Sequence, residues 1–249
     1  MSAPSAPPPP APLPPVVVLA GGFGTRLRAA VPDLPKPLAP ASGRPFLAWL
    51  VEALAAEGAR RIVLSVGYRA EAIAEWAAAQ GAAGGPPLEV VAEEEPLGTG
   101  GAALFAARRA GLGEFLVMNG DTWLGAFVRP FAGGAGPALG VLRIDEDTGR
   151  YGRVELAGGR VAAFAEKQPG AGPGWISTGV ARLDRDELER RAAGRRRFSL
   201  EEEVHRPLAA EGRLAAVELP GPFVDIGIPE DWRRFGEWAA AGRLGAARA

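Results

Sequence analysis

The sequence predicts an α/β protein with a Rossmann-like, mixed but mainly parallel sheet and helices on both faces. Short runs of consecutive apolar residues are typical of strands that are buried on both sides. Between these runs lie longer stretches whose apolar residues recur at helical spacing. Strands and helices that alternate in this way form a sheet covered by helices on both sides. With 249 residues and 47% hydrophobic content, the chain is long enough to bury a large core.

The first half of the chain alternates regularly. Strands are predicted at Val16–Ala20, Arg61–Val66, Leu88–Ala92 and Phe115–Asn119, and helices at Phe46–Glu57, Glu71–Ala79 and Thr99–Arg109. Repeated βα units form parallel sheets, because right-handed crossovers return each strand in the same direction. Ligands of such sheets bind beyond the carboxyl ends of the strands. We therefore expect the functional residues in the loops that follow the strands.

The second half is less regular. Strands are predicted at Pro137–Arg143, Gly152–Leu156, Arg160–Glu166 and Trp175–Leu183, and helices at Asp184–Ala192, Leu200–Glu211 and Pro229–Ala241. A hairpin is expected at 157–159, where two glycines follow an alanine. No linker separates the halves, so we predict one domain over residues 16–249 whose later strands extend or cover the first sheet. Residues 1–15 are rich in proline and are predicted to form a flexible leader.

Composition excludes several classes of function. The chain has no cysteine, which rules out a disulfide scaffold, a thiolate metal site and a cysteine nucleophile. Its 28 basic and 29 acidic residues nearly cancel, so no global field attracts a nucleic acid or an anionic membrane. No apolar run approaches the roughly 18–20 residues needed to span a bilayer. We therefore expect a cytoplasmic protein with no nucleic-acid or membrane partner. The sequence is also compatible with a homo-oligomer.

A glycine-rich loop after the first strand is the most informative segment. Residues 21–26 read GGFGTR, and the missing side chains let backbone N–H groups approach phosphate oxygens at an expected helix start. The threonine adds a hydroxyl, and the arginine adds a forked cation suited to a polyphosphate. Ten residues further on, Lys36 stands between two prolines that restrict the chain. A lysine held in this way can be directed at one phosphoryl group.

Other interpretations of the loop differ in their spacing. A plain tight turn stays open from the loop alone. A dinucleotide-binding loop requires a third glycine where Leu27 stands, and an acid at the end of the next strand, near position 40, is also absent. A P-loop requires a lysine followed by serine or threonine after its last glycine, and this pair is missing. The loop is therefore neither of the two commonest phosphate binders.

The segment 19–38 resembles the sugar-1-phosphate nucleotidyltransferase family, in which an apolar strand, LAGGxGTRL and a PKPL-type lysine follow one another. The resemblance continues through EEEPLGTGGA at 93–102, NGD at 119–121, EK at 166–167, STGV at 177–180 and VDIG at 224–227. It implies a nucleotide-diphospho-sugar transferase type of fold. The implied reaction is in-line attack of a sugar phosphate oxygen on the α-phosphorus of an NTP, with release of pyrophosphate and no covalent enzyme intermediate. Such a transfer requires positioning and charge neutralisation.

The same resemblance implies roles for individual residues. Catalytic roles fall to Arg26, on the β and γ phosphates, to Lys36, on the α-phosphoryl group, and to Asp121. Nucleotide binding falls to Leu19, Ala20, Gly21, Gly22, Gly24, Thr25, Pro96, Gly98 and Thr99, and sugar-phosphate binding to Gly152, Glu166, Lys167 and Thr178. Asp121 and Asp225 are expected to bind Mg²⁺, which takes one or two protein carboxylates alongside phosphate and water. Both follow short apolar runs, so we expect them to meet at the carboxyl edge of the sheet.

Several of these assignments have a structural alternative. An NGD sequence after a strand is often a plain turn, which would make Asp121 structural. Asp225 stands shortly before Pro229, where it could cap the last helix. Structural or solvated interpretations also apply to Glu166, Lys167, Thr178, the glutamates at 93–95 and His205.

Within the family, six segments are most similar to the subgroup that guanylylates D-glycero-α-D-manno-heptose 1-phosphate. They read GGFGTRL, PLAPASGRPFLAWL, SVGYRAE, PLGTGGA, VMNGDTW and FVDIGIPEDW. This implies GTP and the heptose phosphate as substrates, for cell-surface glycan synthesis. Mannose-1-phosphate guanylyltransferase and N-acetylmuramate-1-phosphate uridylyltransferase stay open, because a few hydrogen bonds choose the base and the sugar. The loop spacing disfavours an oxidoreductase, and Lys36 with both aspartates disfavours a non-catalytic regulatory subunit.

Overall fold

The computed structural model describes residues 12–27, 30–166 and 168–244, and within these ranges it contains thirteen strands. They are β1 (Val16–Leu19), β2 (Pro40–Ala41), β3 (Arg44–Pro45), β4 (Ile62–Val66), β5 (Leu88–Ala92), β6 (Glu114–Asn119), β7 (Thr122–Leu124), β8 (Ala138–Ile144), β9 (Arg153–Ala157), β10 (Arg160–Ala165), β11 (Gly174–Asp184), β12 (Ala215–Glu218) and β13 (Phe223–Asp225). Nine of these form one central sheet, while β2 pairs with β3 and β7 with β13.

The central sheet has the order β5-β4-β1-β6-β11-β8-β12-β10-β9. Its first four strands are parallel, and β11 then joins β6 in the antiparallel sense. Only β10 and β11 run against the other seven strands, because β8, β9 and β12 return to the original direction. The predicted mixed, mainly parallel sheet is confirmed, and the later strands extend the first sheet.

Helices cover both faces of this sheet, as the sequence predicts. They are α1 (Phe46–Ala56), α2 (Ala70–Ala82), α3 (Gly98–Arg109), α4 (Arg185–Ala192), α5 (Arg206–Ala210) and α6 (Pro229–Ala240). Val16 and Val18 of β1 belong to one apolar cluster, with side chains of α1, α2 and α6. Val17 points to the opposite face and joins a cluster with α3, α4 and α5. This alternation follows from the two-residue period of a strand.

The predicted helices and strands are found with modest shifts of their ends, apart from the helix predicted at Leu200–Glu211. That segment divides into a π-helical turn, Glu201–His205, and α5. Strand β12 was not predicted, since its sequence AAVE has weak strand propensity. Its pairing with β8 on one side and β10 on the other decides its conformation.

The leader predicted over residues 1–15 lies mostly outside the described residues. Leu13 packs against the core, and the carbonyl of Pro15 accepts a hydrogen bond from the N–H of Leu116 at 2.8 Å. The packed part of the chain therefore begins before the predicted boundary at Val16. No helix in the described ranges is long and apolar enough to cross a membrane.

Candidate active site

The glycine loop and Asp121 lie side by side at the carboxyl edge of the sheet. Strands β1, β4 and β6 are parallel neighbours, so the loops after them leave the sheet at the same edge. Two hydrogen bonds hold these loops together. The N–H of Ala20 donates to the carbonyl of Ser65 at 2.7 Å, and the N–H of Gly120 donates to that of Leu19 at 2.9 Å.

Two glycines of the loop leave room for functional side chains. A Cβ at Gly21 would lie 2.7 Å from Oε1 of Glu93, closer than real Cβ contacts. Gly24 has a φ of 58°, and a Cβ there would lie 2.9 Å from the Cβ of Lys36. Gly24 therefore requires glycine, because its φ is positive and a side chain would collide with Lys36, whereas a side chain at Gly21 would have to displace the end of Glu93.

The helix start expected after the loop is not found in the described residues. Instead the N–H of Leu27 donates to the carbonyl of Gly24, and that of Val31 to the carbonyl of Leu27, which makes turns. The prolines that follow, Pro32 and Pro35, lack the N–H groups that a helix would need. The predicted ligands at positions 25 and 26 are exposed in these turns.

Lys36 binds both predicted metal ligands. It opens a short 3₁₀ helix, Lys36–Leu38, after the extended residue Pro35. Its Nζ donates a hydrogen bond to Oδ2 of Asp121 and lies 3.5 Å from Oδ1 of Asp225. The lysine side chain is 11% exposed and the aspartates are 30% and 35% exposed, so the carboxylates form the open side of the cluster.

A strand pair that the sequence did not reveal brings Asp225 to Asp121. Strand β13 pairs with β7, and the N–H of Ile226 donates to the carbonyl of Asp121 at 2.9 Å. The side chain of Asp225 accepts the N–H of Gly227 at 2.7 Å. Helix α6 instead begins after Ile228, with no side-chain cap. The alternative in which Asp225 caps this helix is therefore wrong.

The two aspartates suit a divalent cation that shares its remaining ligands with substrate. In the described part of the chain, no group of three or more acidic or histidine side chains could hold a metal by itself. Two carboxylates are nevertheless the usual protein share at a Mg²⁺ site completed by phosphate and water. The ammonium group of Lys36 between Asp121 and Asp225 shows that the position accommodates positive charge.

A cavity of about 330 Å³ lies between the glycine loop and the start of α3. It is lined by Leu19, Gly21, Gly22, Phe23, Ser65, Glu93, Pro96, Gly98, Thr99, Ala102, Asn119 and Asp121. Most of the predicted nucleotide ligands are thus brought together, whereas Ala20, Gly24 and Thr25 are not among the lining residues. Gly98 has a φ of 72°, and a Cβ there would lie 2.6 Å from the carbonyl oxygen of Phe198. We call this space the nucleotide cavity, after the ligand that the sequence predicts for its lining residues.

Glu93 was missed as a site residue. From the sequence, Glu93 is expected to be solvated or part of a helix start. In the structure it is half-buried in the wall of the nucleotide cavity. Burial raises the pKa of its carboxyl group, and the hydrogen bond from the N–H of Leu97 at 3.2 Å acts in the opposite direction. The available signal was its place directly after β5, at the same carboxyl edge as the glycine loop.

A second cavity, of about 290 Å³, adjoins the first and shares Thr99 and Asn119 with it. We call it the sugar cavity, after the ligand that the sequence predicts for part of its wall. Its wall includes the predicted residues Gly152, Thr178 and Asp225. Side chains that the sequence did not single out as ligands also line it, among them Arg150, Tyr151, Phe164, Ser177, Phe223 and His205.

The remaining sugar-phosphate ligands have different positions. Thr178 is 2% exposed and donates its hydroxyl to the carbonyl of Gly140 at 2.9 Å, so it is a core residue as well as a wall residue. Gly152 faces open space, since a Cβ there would meet no atom within 4 Å. Glu166 is exposed and is not among the residues that line the sugar cavity. Lys167 lies outside the described residues.

His205 lies in the wall of the sugar cavity, at the end of the π-helical turn. Its ring stacks on Phe164 with centroids 6.3 Å apart, and its Nε2 has no hydrogen-bond partner within the described ranges. Burial lowers the pKa of His205 to about 4, so the imidazole is neutral at neutral pH. The site therefore contains a neutral histidine where the sequence suggested only a packing residue.

The fold is an α/β sheet with two adjoining cavities at its carboxyl edge, and a lysine and two carboxylates lie where the cavities meet. This arrangement is typical of proteins that transfer a phosphoryl-containing group between phosphorylated ligands. A family model described as "Nucleotidyl transferase" matches residues 15–238. The chain therefore belongs to the nucleotidyl transferase family, among its sugar-1-phosphate nucleotidyltransferase enzymes. The resemblance found in the sequence is confirmed.

Individual relatives agree with this family. The D-glycero-alpha-D-manno-heptose 1-phosphate guanylyltransferase of Campylobacter jejuni is 32% identical over 222 residues, 88% of this chain and 97% of that protein. The mannose-1-phosphate guanylyltransferase of Mycobacterium tuberculosis is 34% identical over 226 residues, 88% of this chain but 62% of that protein. The solved structure of HddC from Yersinia pseudotuberculosis complexed with GMP-PN is 30% identical, with a TM-score of 0.74 over 90% of this chain and 99% of that chain.

Proposed function

We propose that the chain transfers GMP from GTP to D-glycero-α-D-manno-heptose 1-phosphate, giving GDP-heptose and pyrophosphate with Mg²⁺ as the metal. The observation that carries this proposal is the junction of the two cavities. Asp121 lines the nucleotide cavity, Asp225 lines the sugar cavity, and Lys36 contacts both carboxylates. A group at this junction touches both substrates, which is where a phosphoryl transfer must occur.

Cations of the chain supply the charge neutralisation that the transfer requires. A Cβ at Gly227 would lie 3.2 Å from Nζ of Lys36 and 3.4 Å from Nη2 of Arg26, so both cations reach the same space. There they face the triphosphate in the proposed complex. Fixed cations stabilise the charge that develops on the phosphoryl oxygens, because they need not reorient during the reaction.

Asp121 and Asp225 are the residues that would hold the metal. Enzymes of this family generally use divalent metal ions. When bound, such an ion neutralises phosphate oxygens of both substrates. Mg²⁺ is the proposed ion because the protein offers two hard carboxylate oxygens and leaves the other positions to phosphate and water.

The choice of GTP and the heptose phosphate rests on the relatives that match over nearly their whole length. A second candidate is GTP with mannose 1-phosphate, favoured by relatives of comparable identity that carry additional sequence. Both candidate reactions use GTP, so they differ only in the sugar 1-phosphate.

Pyrophosphate release from a grid of NTPs and sugar 1-phosphates tests the proposal. We expect GTP with the heptose phosphate to give the highest kcat/KM. A tenfold advantage of UTP or dTTP with a hexose 1-phosphate would overturn the guanylyl assignment but leave the reaction class intact. A similar advantage of mannose 1-phosphate would overturn the sugar assignment alone.

A further inference from the structure

Arg150 is a cation in the wall of the sugar cavity. Among the described residues that line this space, the charged side chains are Arg150, Glu201 and Asp225. The substrate expected here carries a phosphate group of nearly two negative charges. Among the described residues of the wall, Arg150 is therefore the side chain that can itself offer this phosphate a positive charge.

The guanidinium group of Arg150 is held on two sides. Its Nη2 donates a hydrogen bond to Oδ2 of Asp231, which lies in the first turn of α6. The guanidinium also lies over the ring of Tyr151, at 4.9 Å from the centroid, and this ring packs edge-on against Phe223 at 5.2 Å. Side chains clamped in this way lose little further conformational entropy when a ligand binds.

The clamp leaves most of the donors of Arg150 available. Within the described ranges, the contact with Asp231 occupies one N–H of Nη2, so one fork of the guanidinium group, formed by the other N–H of Nη2 with either Nε or Nη1, keeps its donors. Asp231 is the buried partner, with a side chain 5% exposed against 45% for Arg150. Although burial works against the charged form, the hydrogen bond to Asp231 raises the pKa of Arg150 above its ordinary value. Arg150 is thus a permanent cation with unused donors in the wall of the cavity.

We propose that Arg150 binds the phosphate group of the sugar 1-phosphate and that Asp231 is a positioning residue that holds the guanidinium group at the cavity wall. The proposal rests on the proposed function and names a contact within it. A guanidinium fork offers parallel N–H donors that match two phosphate oxygens, which an ammonium group cannot reproduce. The alternative is a purely structural ion pair that ties the segment before β9 to α6.

Steady-state kinetics of Arg150→Met, Arg150→Lys and Asp231→Asn separate these alternatives. We expect Arg150→Met to raise the KM for the sugar 1-phosphate by about 10–100-fold, the usual loss of a charge-assisted hydrogen bond, and to leave the KM for GTP within about twofold. Arg150→Lys should recover only part of the loss. Asp231→Asn should raise the same KM by a smaller factor.

The double variant Arg150→Met/Asp231→Asn tests the positioning role. If Asp231 acts through Arg150, the double variant has the same sugar-phosphate KM as Arg150→Met alone. Arg234→Met is the matched control, since Arg234 forms an ion pair with the same carboxylate at 2.8 Å but does not line the cavity. This control should keep both KM values.

The outcomes also distinguish the inference from the proposed function. A wild-type enzyme that turns over no sugar 1-phosphate contradicts the proposed function. An active wild type with a normal sugar-phosphate KM in both Arg150 variants overturns the role of Arg150. Additive effects of the two substitutions, with equal changes in both KM values, would show that the pair is only structural.

Discussion

Two clusters of carboxylates and cations in this molecule differ in how completely they are paired. At the junction of the cavities, one cation among the described residues, Lys36, forms ion pairs with both Asp121 and Asp225, which are 30% and 35% exposed. On α4, Glu187 is 1% exposed and accepts hydrogen bonds from three arginines. Those donors are Arg190, Arg191 and Arg213, at 2.6, 2.7 and 2.8 Å.

The difference separates stability from function. A buried carboxylate with three cationic donors has no capacity left for a ligand, and its loss removes the charge around which those cations are arranged. At the junction, the carboxylates of Asp121 and Asp225 are partly exposed and share one ion-paired lysine, with the guanidinium group of Arg26 close by, so their oxygens keep capacity for a ligand. Such incomplete pairing suits a site that acquires a divalent cation and phosphates. Substitutions in the two clusters should therefore have opposite consequences.

The largest effect is expected at the junction carboxylates. Asp121→Asn and Asp225→Asn should lower kcat by about 10³-fold, because each removes a charge that faces the reacting phosphates. The melting temperature should change little. Activity measured over a series of Mg²⁺ concentrations checks this. A variant that keeps more than about a tenth of the activity at the original Mg²⁺ optimum would contradict the shared-metal site for that residue.

Lys36→Ala should lower kcat by about 10²–10³-fold, the usual cost of removing one fixed group that faces developing charge. Arg26→Ala, at an exposed position, should act at least as much through the KM for GTP. Single-turnover rates at saturating GTP distinguish the two effects. Near-normal turnover of the Lys36 variant would show that its contacts with the aspartates are only structural.

The paired cluster should give the reverse result. Glu187→Gln should lower the free energy of unfolding by about 1–3 kcal/mol, since a buried carboxylate loses its charge-assisted hydrogen bonds from three arginines. Its kcat/KM should stay within about twofold of the wild type when folded enzyme is assayed. Glu189→Gln is the matched control on the same helix, because its ion pair with Arg108 is exposed. A loss of activity in Glu187→Gln without a loss of stability would contradict the purely structural role of the α4 cluster.

The smallest effects are expected in how the stability of the fold changes at acidic pH. Burial works against the ionised form of Glu187, but hydrogen bonds from its arginines lower its pKa to about 2, so its contribution to stability is present above about pH 4.5 and lost as the pH falls towards 2. Burial lowers the pKa of His205 to about 4, so unfolding takes up a proton and stability falls between about pH 6.5 and 4.

Urea unfolding at a series of pH values measures both effects. Glu187→Gln should remove the decline below about pH 4.5, and His205→Gln should remove the decline above it. Unchanged profiles in the two variants would assign the acid sensitivity to other groups.

Much of the site was predictable because its signals are local. The glycine loop, the proline-flanked Lys36 and the aspartates after apolar runs each occupy a few consecutive residues. Backbone sterics and strand periodicity act over the same range, so a short window of sequence contains the information. The order of strands and helices was predictable for this reason, and so was the carboxyl edge as the place of the site.

Tertiary structure decided which distant residues meet. The pairing of β13 with β7 brings Asp225 to Asp121, and the contact between Lys36 and Asp121 spans 85 positions. Strand β12 forms because neighbours are there to pair with it, and Glu93 becomes a wall residue because glycines leave it room. Arg150 meets Asp231 across 81 positions. No local pattern encodes such contacts, because they depend on how packed helices and strands close long loops against one another.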